Sequence, residues 1–247
     1  VEDNSTRSWE QLAEEWAAQA PLNDYRNIFL MPQTFALLGD VRGKKMLDLG
    51  CGEGGYSRRL AQQGARVTGI DGSPTLIEFA RQRAAQEQVA VTHETRNANR
   101  LDGLADGSFD LALAAMSLMD VEDYGGAVRE IHRVLRPGGE LLMSVTHPCF
   151  DGRGSRWHKE AGVYKHYAVD NYSVSEAWED FINDQFTQPV LFRHQPLQDF
   201  INPLLALGFR LTLFHEPTAT PEQIRQAPRL ARLHRVALFL FMKWVKE

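Results

Sequence analysis

Residues 45–55 read K-M-L-D-L-G-C-G-E-G-G, and no other stretch of the chain restricts the fold as tightly. A short apolar strand runs straight into four glycines within six positions. From 56 to 63 the spacing turns helical, with Ser57, Leu60, Ala61 and Gly64 on one face. A strand, a glycine turn and a helix make a ligand-binding corner. Glycine reaches positive φ without steric cost and lets the backbone approach a bound group. The unsatisfied N–H groups at the helix start point into the same gap.

Two cofactor classes use such a corner. Gly50-x-Gly52-x-x-Gly55 matches the dinucleotide fingerprint, with Asp71 at the distance of its ribose-binding acid. The acids Asp48 and Glu53 argue the other way, because negative charge repels the pyrophosphate that a dinucleotide loop holds. They suit a phosphate-free, positively charged cofactor such as S-adenosylmethionine. M-L-D-L-G-C-G-E-G resembles the first motif of the class I S-adenosylmethionine-dependent methyltransferases, and L-R-P-G-G-E-L-L-M-S-V, at 135–145, is a second match. The resemblance is strong over 45–145 and weaker outside. It implies an α/β fold: a Rossmann-like, seven-stranded, mostly parallel sheet with helices on both faces. The last two strands would be an antiparallel pair, with N-terminal capping helices and an inserted lid added to the sheet.

Read in order, the spacing predicts helices over 8–19 and 25–38, then strands from 45, over 66–71 and over 90–96. Between the last two strands, Ser73 caps a helix over 74–86 with Pro74 in its first turn. The almost wholly apolar 109–116 is a strand buried on both faces. An amphipathic helix over 124–135 stops at Arg136-Pro137-Gly138-Gly139, and a strand over 140–146 follows. After the insert come a helix over 196–207 containing Pro203 and strands over 209–216 and 235–245. The segment 150–192 shows no clean period and carries Trp157, Tyr164, Tyr167, Tyr172, Trp178, Phe181 and Phe186. It reads as a lid over a small-molecule pocket, or as a β-extension whose aromatics form a satellite core. The chain thus divides as one domain, 1–247: cap helices 1–40, cofactor core 41–148, insert 149–194, and 195–247 completing the sheet.

The resemblance implies cofactor contacts at Asp48, Gly50, Cys51 and Gly52, and at Asp71, Gly72 and Ser73, with Asp71 accepting from the ribose hydroxyls. Asn97-Ala98 stands where the family has Asp-Ala. The Asn amide oxygen can still accept from the adenine amino group. Ala115 and Met116, at a strand's carboxyl end, border the methionine moiety. Tyr25 closes over the cofactor or packs on the core. Substrate contacts fall to Tyr164, Tyr167, Tyr172 and Trp178 of the insert.

Methyl transfer from a sulfonium needs alignment and a water-poor site more than a fixed catalytic residue. His147, in T-H-P-C-F, is the candidate base or substrate-orienting residue, and Asp120 a second. No metal-ligand spacing stands out. A-M-S-L-M-D at 115–120 differs from the Asn-Pro-Pro-aromatic pattern of enzymes that methylate nucleic-acid bases, and the net charge is −5. Both point to a small-molecule substrate rather than nucleic acid. One of two cysteines lies in the glycine loop, so a reducing cytoplasm is expected, and no apolar run is long enough to cross a bilayer. The expected activity is S-adenosylmethionine-dependent methyl transfer to an oxygen, nitrogen or carbon nucleophile, leaving S-adenosylhomocysteine. The alternatives are an NAD(P)-dependent oxidoreductase and a non-catalytic S-adenosylmethionine-binding regulatory module.

Overall fold

The computed structural model of the protein describes residues 3–247. Helix α1 spans Asn4–Gln19 and begins earlier than the periodicity suggests, because Asp3 accepts from the Thr6 N–H at 2.6 Å and caps it. Its first turn is polar, so it adds nothing to the apolar pattern. The predicted helix over 25–38 is two pieces, a π-wound turn Tyr25–Leu30 and helix α2, Met31–Leu38. Pro32 has no N–H to give back to the preceding turn. The Ile28 carbonyl there accepts instead from the Gln223 amide at 2.6 Å.

Strand β1 (Lys45–Leu49) leads to α3 (Gly55–Gln62), β2 (Arg66–Asp71), α4 (Pro74–Gln86) and β3 (Thr92–Thr95). The second half runs β4 (Phe109–Ala115), α5 (Tyr124–Val134) and β5 (Leu135–Thr146). The insert forms β6 (Arg156–Glu160), β7 (Val163–Ala168), β8 (Glu176–Asp180) and β9 (Val190–His194). Then come α6 (Leu197–Ala206), β10 (Phe209–His215), α7 (Pro221–Gln226) and β11 (Phe239–Lys246). The main sheet has the order β10-β11-β5-β4-β1-β2-β3. Strands β1 to β5 are parallel, and β11 runs antiparallel to both β5 and β10.

Both faces of the sheet are covered, which is why its central strands are nearly continuous apolar runs. From β1, Met46 packs with Leu38, Tyr56 and Leu60, while Leu47 and Leu49 join Val128, Ile131 and Val145 on the opposite face. The order reverses between β1 and β4, so the carboxyl ends of these neighbours open a crevice, the usual ligand position in such sheets.

Two boundaries in the second half also differ from the sequence reading. Residues 136–139 are a bulge inside β5 rather than a turn before it: Leu135 pairs with Phe109, and Glu140 with Leu111. The final strand starts at Phe239 and not at 235, because Arg235 donates to the carbonyls of Tyr164 and Lys165 and holds the chain against the insert.

The insert, which shows no period in sequence, is two antiparallel hairpins, β6–β7 and β8–β9. A register shift between His158 and Lys159 breaks the alternation in the first. The second lies on α1, where Phe186 and Val190 pack with Leu12. Ser8 and Glu15 of α1 accept from the Leu191 and Thr187 N–H groups, both at 2.8 Å.

Candidate active site

A cavity of about 360 Å³ lies over the carboxyl ends of β1, β2, β4 and β5, roofed by α1, the π turn and β8–β9. Gly50 makes the floor. Its φ is +69°, and a Cβ there would lie 2.4 Å from the Ser117 Cβ, so no larger residue fits between the β1 and β4 loops. Ser117 reinforces this junction by donating to the Leu49 carbonyl at 2.7 Å.

Asp71 ends β2 in the cavity wall. Its Oδ2 accepts from the Gly52 N–H and its Oδ1 from the Ser73 N–H, both at 2.9 Å. A carboxylate offers about four acceptor sites, so lone pairs remain for a ligand. Burial raises its pKa, against these backbone hydrogen bonds, which lower it. Cys51, Gly72, Asn97, Ala98 and Ala115 line the same cavity, as does Met116. Met116 is held at φ +56°, with its N–H on the Ser144 carbonyl at 2.9 Å. A non-glycine residue in this region at a ligand wall is stored strain. Tyr25 also lines the cavity. It packs on Phe239 with ring centroids 5.7 Å apart, and its hydroxyl accepts from Arg232, so lining and packing coexist.

Other expected contacts are placed elsewhere. Asp48 is sealed under the loop, 1% exposed, accepting from the Ser57 hydroxyl at 2.5 Å, and burial pushes its pKa up to about 6. Ser73 is consumed as the α4 cap, accepting from the Leu76 N–H at 3.0 Å while its hydroxyl bonds Glu10. Glu53 borders the cavity, but its carboxylate is engaged by Arg26 at 2.5 Å, Arg83 at 2.6 Å and Arg58 at 3.2 Å rather than left free for a ligand. Burial works against its ionisation, but the three arginines override this and lower its pKa. The acid-flanked loop therefore does not exclude a pyrophosphate in the way its sequence suggests. Both acids are structural.

His147 is also off the cavity wall. Its Nε2 lies 3.0 Å from the Glu216 carboxylate and its Nδ1 accepts from the Cys149 N–H at 3.1 Å, with the side chain 4% exposed. None of the four insert aromatics lines the cavity. Tyr164 packs on Trp157, Tyr167 donates to the Phe150 carbonyl at 2.9 Å, Tyr172 accepts from the Leu197 N–H at 3.1 Å, and Trp178 stacks on Phe192. The wall is built instead from Ile182, Val190, Phe192 and Arg193 of the insert, with Trp9 and Trp16 from α1. The alternation of Val190 and Phe192 is the one sequence signal that marks this face.

Two carboxyl groups complete the wall, Asp120 after β4 and Asp151 after β5. Burial pushes Asp120 up to about 8, with the Asp151 charge adding and Arg193 opposing. Burial also raises Asp151 to about 6, against a hydrogen bond from Thr146 and the charge of His194. Asp120 stood second to His147 in sequence, and Asp151 carried no signal there.

Comparison with known proteins agrees with this architecture. A methyltransferase-domain family matches residues 47–143. The crystal structure of an S-adenosylmethionine-dependent methyltransferase from Mesorhizobium loti superposes with a TM-score of 0.75 at 28% identity, covering 91% of this chain and 98% of that one. A ubiquinone biosynthesis O-methyltransferase from Pseudomonas aeruginosa is 37% identical over 105 residues, 42% of this chain and 45% of its own length. Its counterpart from Alkalilimnicola ehrlichii is 30% identical over 149 residues, 60% of its length. The chain thus spans about half the length of these curated relatives. On the glycine corner, the sheet order and these matches together, the chain carries a methyltransferase domain over residues 47–143 and has the fold of the class I S-adenosylmethionine-dependent methyltransferases.

Proposed function

We propose that the protein binds S-adenosylmethionine in this cavity and transfers its methyl group to an oxygen of a small, largely apolar molecule. The observation that carries the reading is Asp71: a carboxylate at the β2 terminus, in the wall, tied to the glycine loop and with acceptor capacity left. The surroundings fit the cofactor. Gly52, at φ +55°, leaves the backbone bare on the cavity wall, and a Cβ there would meet, among the described residues, only the Trp16 Nε1, at 3.6 Å. Asp71 would take the ribose hydroxyls, Asn97 and Ala98 the adenine, and Ala115 and Met116 the methionine chain. When bound, the cofactor supplies a methyl group activated by its sulfonium. The protein's part is to align the acceptor and exclude water. The apolar roof of Trp9, Val190 and Phe192 suits both tasks, and β8–β9 with α1 would act as the lid. The printed activity of the curated relatives favours oxygen over nitrogen or carbon as acceptor. Among the described residues no helix is long and apolar enough to cross a membrane.

Thermal denaturation with added ligand tests this. At one hundred times its dissociation constant, S-adenosylhomocysteine should stabilise the protein by about 2.7 kcal/mol, and NAD should not. Stabilisation by NAD alone would return the dinucleotide reading. Binding without turnover on a broad acceptor panel would favour the regulatory-module alternative.

Hydrogen exchange tests the lid. Hairpin β6–β7, mostly exposed, should exchange faster than β1 and β4 in the free protein. Hairpin β8–β9 should gain protection when S-adenosylhomocysteine is added. Protection of β8–β9 that is unchanged by the ligand would make it a fixed wall.

A further inference from the structure

The cavity has a direction. Asp71 on β2 marks the ribose end, and β1, β4 and β5 follow in order across the sheet. With strands about 4.8 Å apart, the β4 and β5 termini lie roughly 10–15 Å from Asp71. Asp120 closes the turn Leu118–Asp120 after β4, and Asp151 follows the turn in which the Phe150 N–H meets the His147 carbonyl at 2.8 Å. Both therefore face the end of the cavity beyond the cofactor's methionine chain, where an acceptor would stand.

Their setting is unusual for acids. Neither has an ion pair among the described residues. Arg193, the wall cation whose charge acts on Asp120, is engaged by Glu122 at 3.3 Å and Ser5 at 2.9 Å. The cavity they line also carries Trp9, Met119, Val190, Phe192 and Phe239. Two carboxyl groups without an ion pair, each holding one side-chain hydrogen bond (from Trp9 to Asp120 and from Thr146 to Asp151), are costly in an apolar chamber and call for a ligand or a shared proton.

We propose that Asp151 is the general base and Asp120 the neutral hydrogen-bond donor toward the methyl-acceptor oxygen, and that the acceptor is a phenol-type hydroxyl on an apolar body. The inference rests on the methyl-transfer reading above. The charged and titratable groups facing the pair are Arg193 and His194 from β9 and Tyr167 from β7, with Glu122 neutralising Arg193. With Asp151 near 6 and Asp120 near 8, the pair holds one proton at neutral pH. One carboxyl accepts while the other donates.

In the step, the hydroxyl proton passes to the Asp151 carboxylate as the oxygen lone pair bonds to the methyl carbon. The carbon–sulfur bond breaks with its electron pair on sulfur, leaving a neutral thioether, and Asp151 later releases the proton to water. A neutral amine has a free lone pair and needs no such base. A phenol, with a pKa of about 10, does need one, and a base poised near operating pH serves it.

Three measurements on wild type, Asp151→Asn and Asp120→Asn test this. The first is calorimetry with S-adenosylhomocysteine, in which all three should bind alike. Failure of the wild type to bind sinks the methyl-transfer reading, a different outcome from those that follow. The second is turnover on simple phenols, catechol included, against matched anilines. The wild type should methylate phenols with a bell-shaped pH profile, its limbs near 6 and 8. Asp151→Asn should lower kcat by about 10²–10⁴ and remove the acid limb, and Asp120→Asn should remove the alkaline one. Methylation of anilines only, of neither class by a protein that binds the cofactor product, or an unaffected rate in Asp151→Asn overturns the proposal. The third is carboxyl titration by ¹³C NMR, independent of turnover. In Asp151→Asn, Asp120 should titrate at lower pH because a neighbouring charge is gone. Independent titration of the two in the ordinary carboxylate range overturns the pairing. Both amide variants are nearly isosteric and remove a desolvated charge, so their melting temperatures above pH 8 should not fall below wild type.

Discussion

Glu53→Ala is expected to destabilise the protein by about 3–5 kcal/mol, the usual cost of removing one partner from a buried charge cluster. The carboxylate is 1% exposed and neutralises three guanidinium groups whose side chains are only 10–23% exposed. Each arginine belongs to a different element. Arg58 on α3 also donates to the Glu53 carbonyl at 2.6 Å. Arg83 on α4 also donates to the Ala17 carbonyl of α1 at 2.7 Å, and Arg26 holds the π turn. One acid thus ties the glycine loop to the cap that roofs the cavity. Without it, three cations crowd a site whose one remaining partner carboxylate among the described residues is Glu87, 2.8 Å from Arg58. Urea unfolding measures the loss, and the melting temperature should fall by on the order of 10 °C. A change below about 1 kcal/mol would mean that the cluster behaves as a solvated surface pair.

The second large effect is on binding. Asp71→Ala should weaken S-adenosylhomocysteine binding by about 3–6 kcal/mol, two charge-assisted hydrogen bonds of about 1.5–3 kcal/mol each. That is a factor of about 10²–10⁴ in Kd. Part of the loss would come from the Gly52 N–H, which now donates to Asp71 and would lose its partner. Asp71→Asn should fall between, since its amide keeps one acceptor oxygen. Calorimetry on folded variants reads both. Unchanged affinity in Asp71→Ala would confine Asp71 to holding the loop.

The central fold is legible in the chain because its signals are local. The limits of β2 and α4 follow from apolar spacing and from the Ser73-Pro74 start signal. Gly50 and Asp71 are readable because a tight turn and a strand-end acid are fixed by short-range geometry. What was not legible depends on partners far along the chain. Nothing near Glu53 announces that Arg26 and Arg83 will meet it, so its charge looks available to a ligand. His147 looks exposed at a strand end until Glu216, from the segment after β10, covers it. The insert aromatics look like a pocket, but Tyr167 and Tyr172 spend their hydroxyls on backbone groups, and Trp178 stacks within its own hairpin. Asp151 gains its meaning only from the sheet order, which sets the loop after β5 beside the loop after β4.

The most direct test of the whole account is a crystal structure of the protein with S-adenosylhomocysteine. The account predicts the ribose hydroxyls within hydrogen-bond distance of the Asp71 carboxylate, the adenine beside Asn97, and the sulfur turned toward Asp120 and Asp151. A ligand bound elsewhere, or one lying in the cavity with its adenine against the β4 and β5 termini, would contradict it.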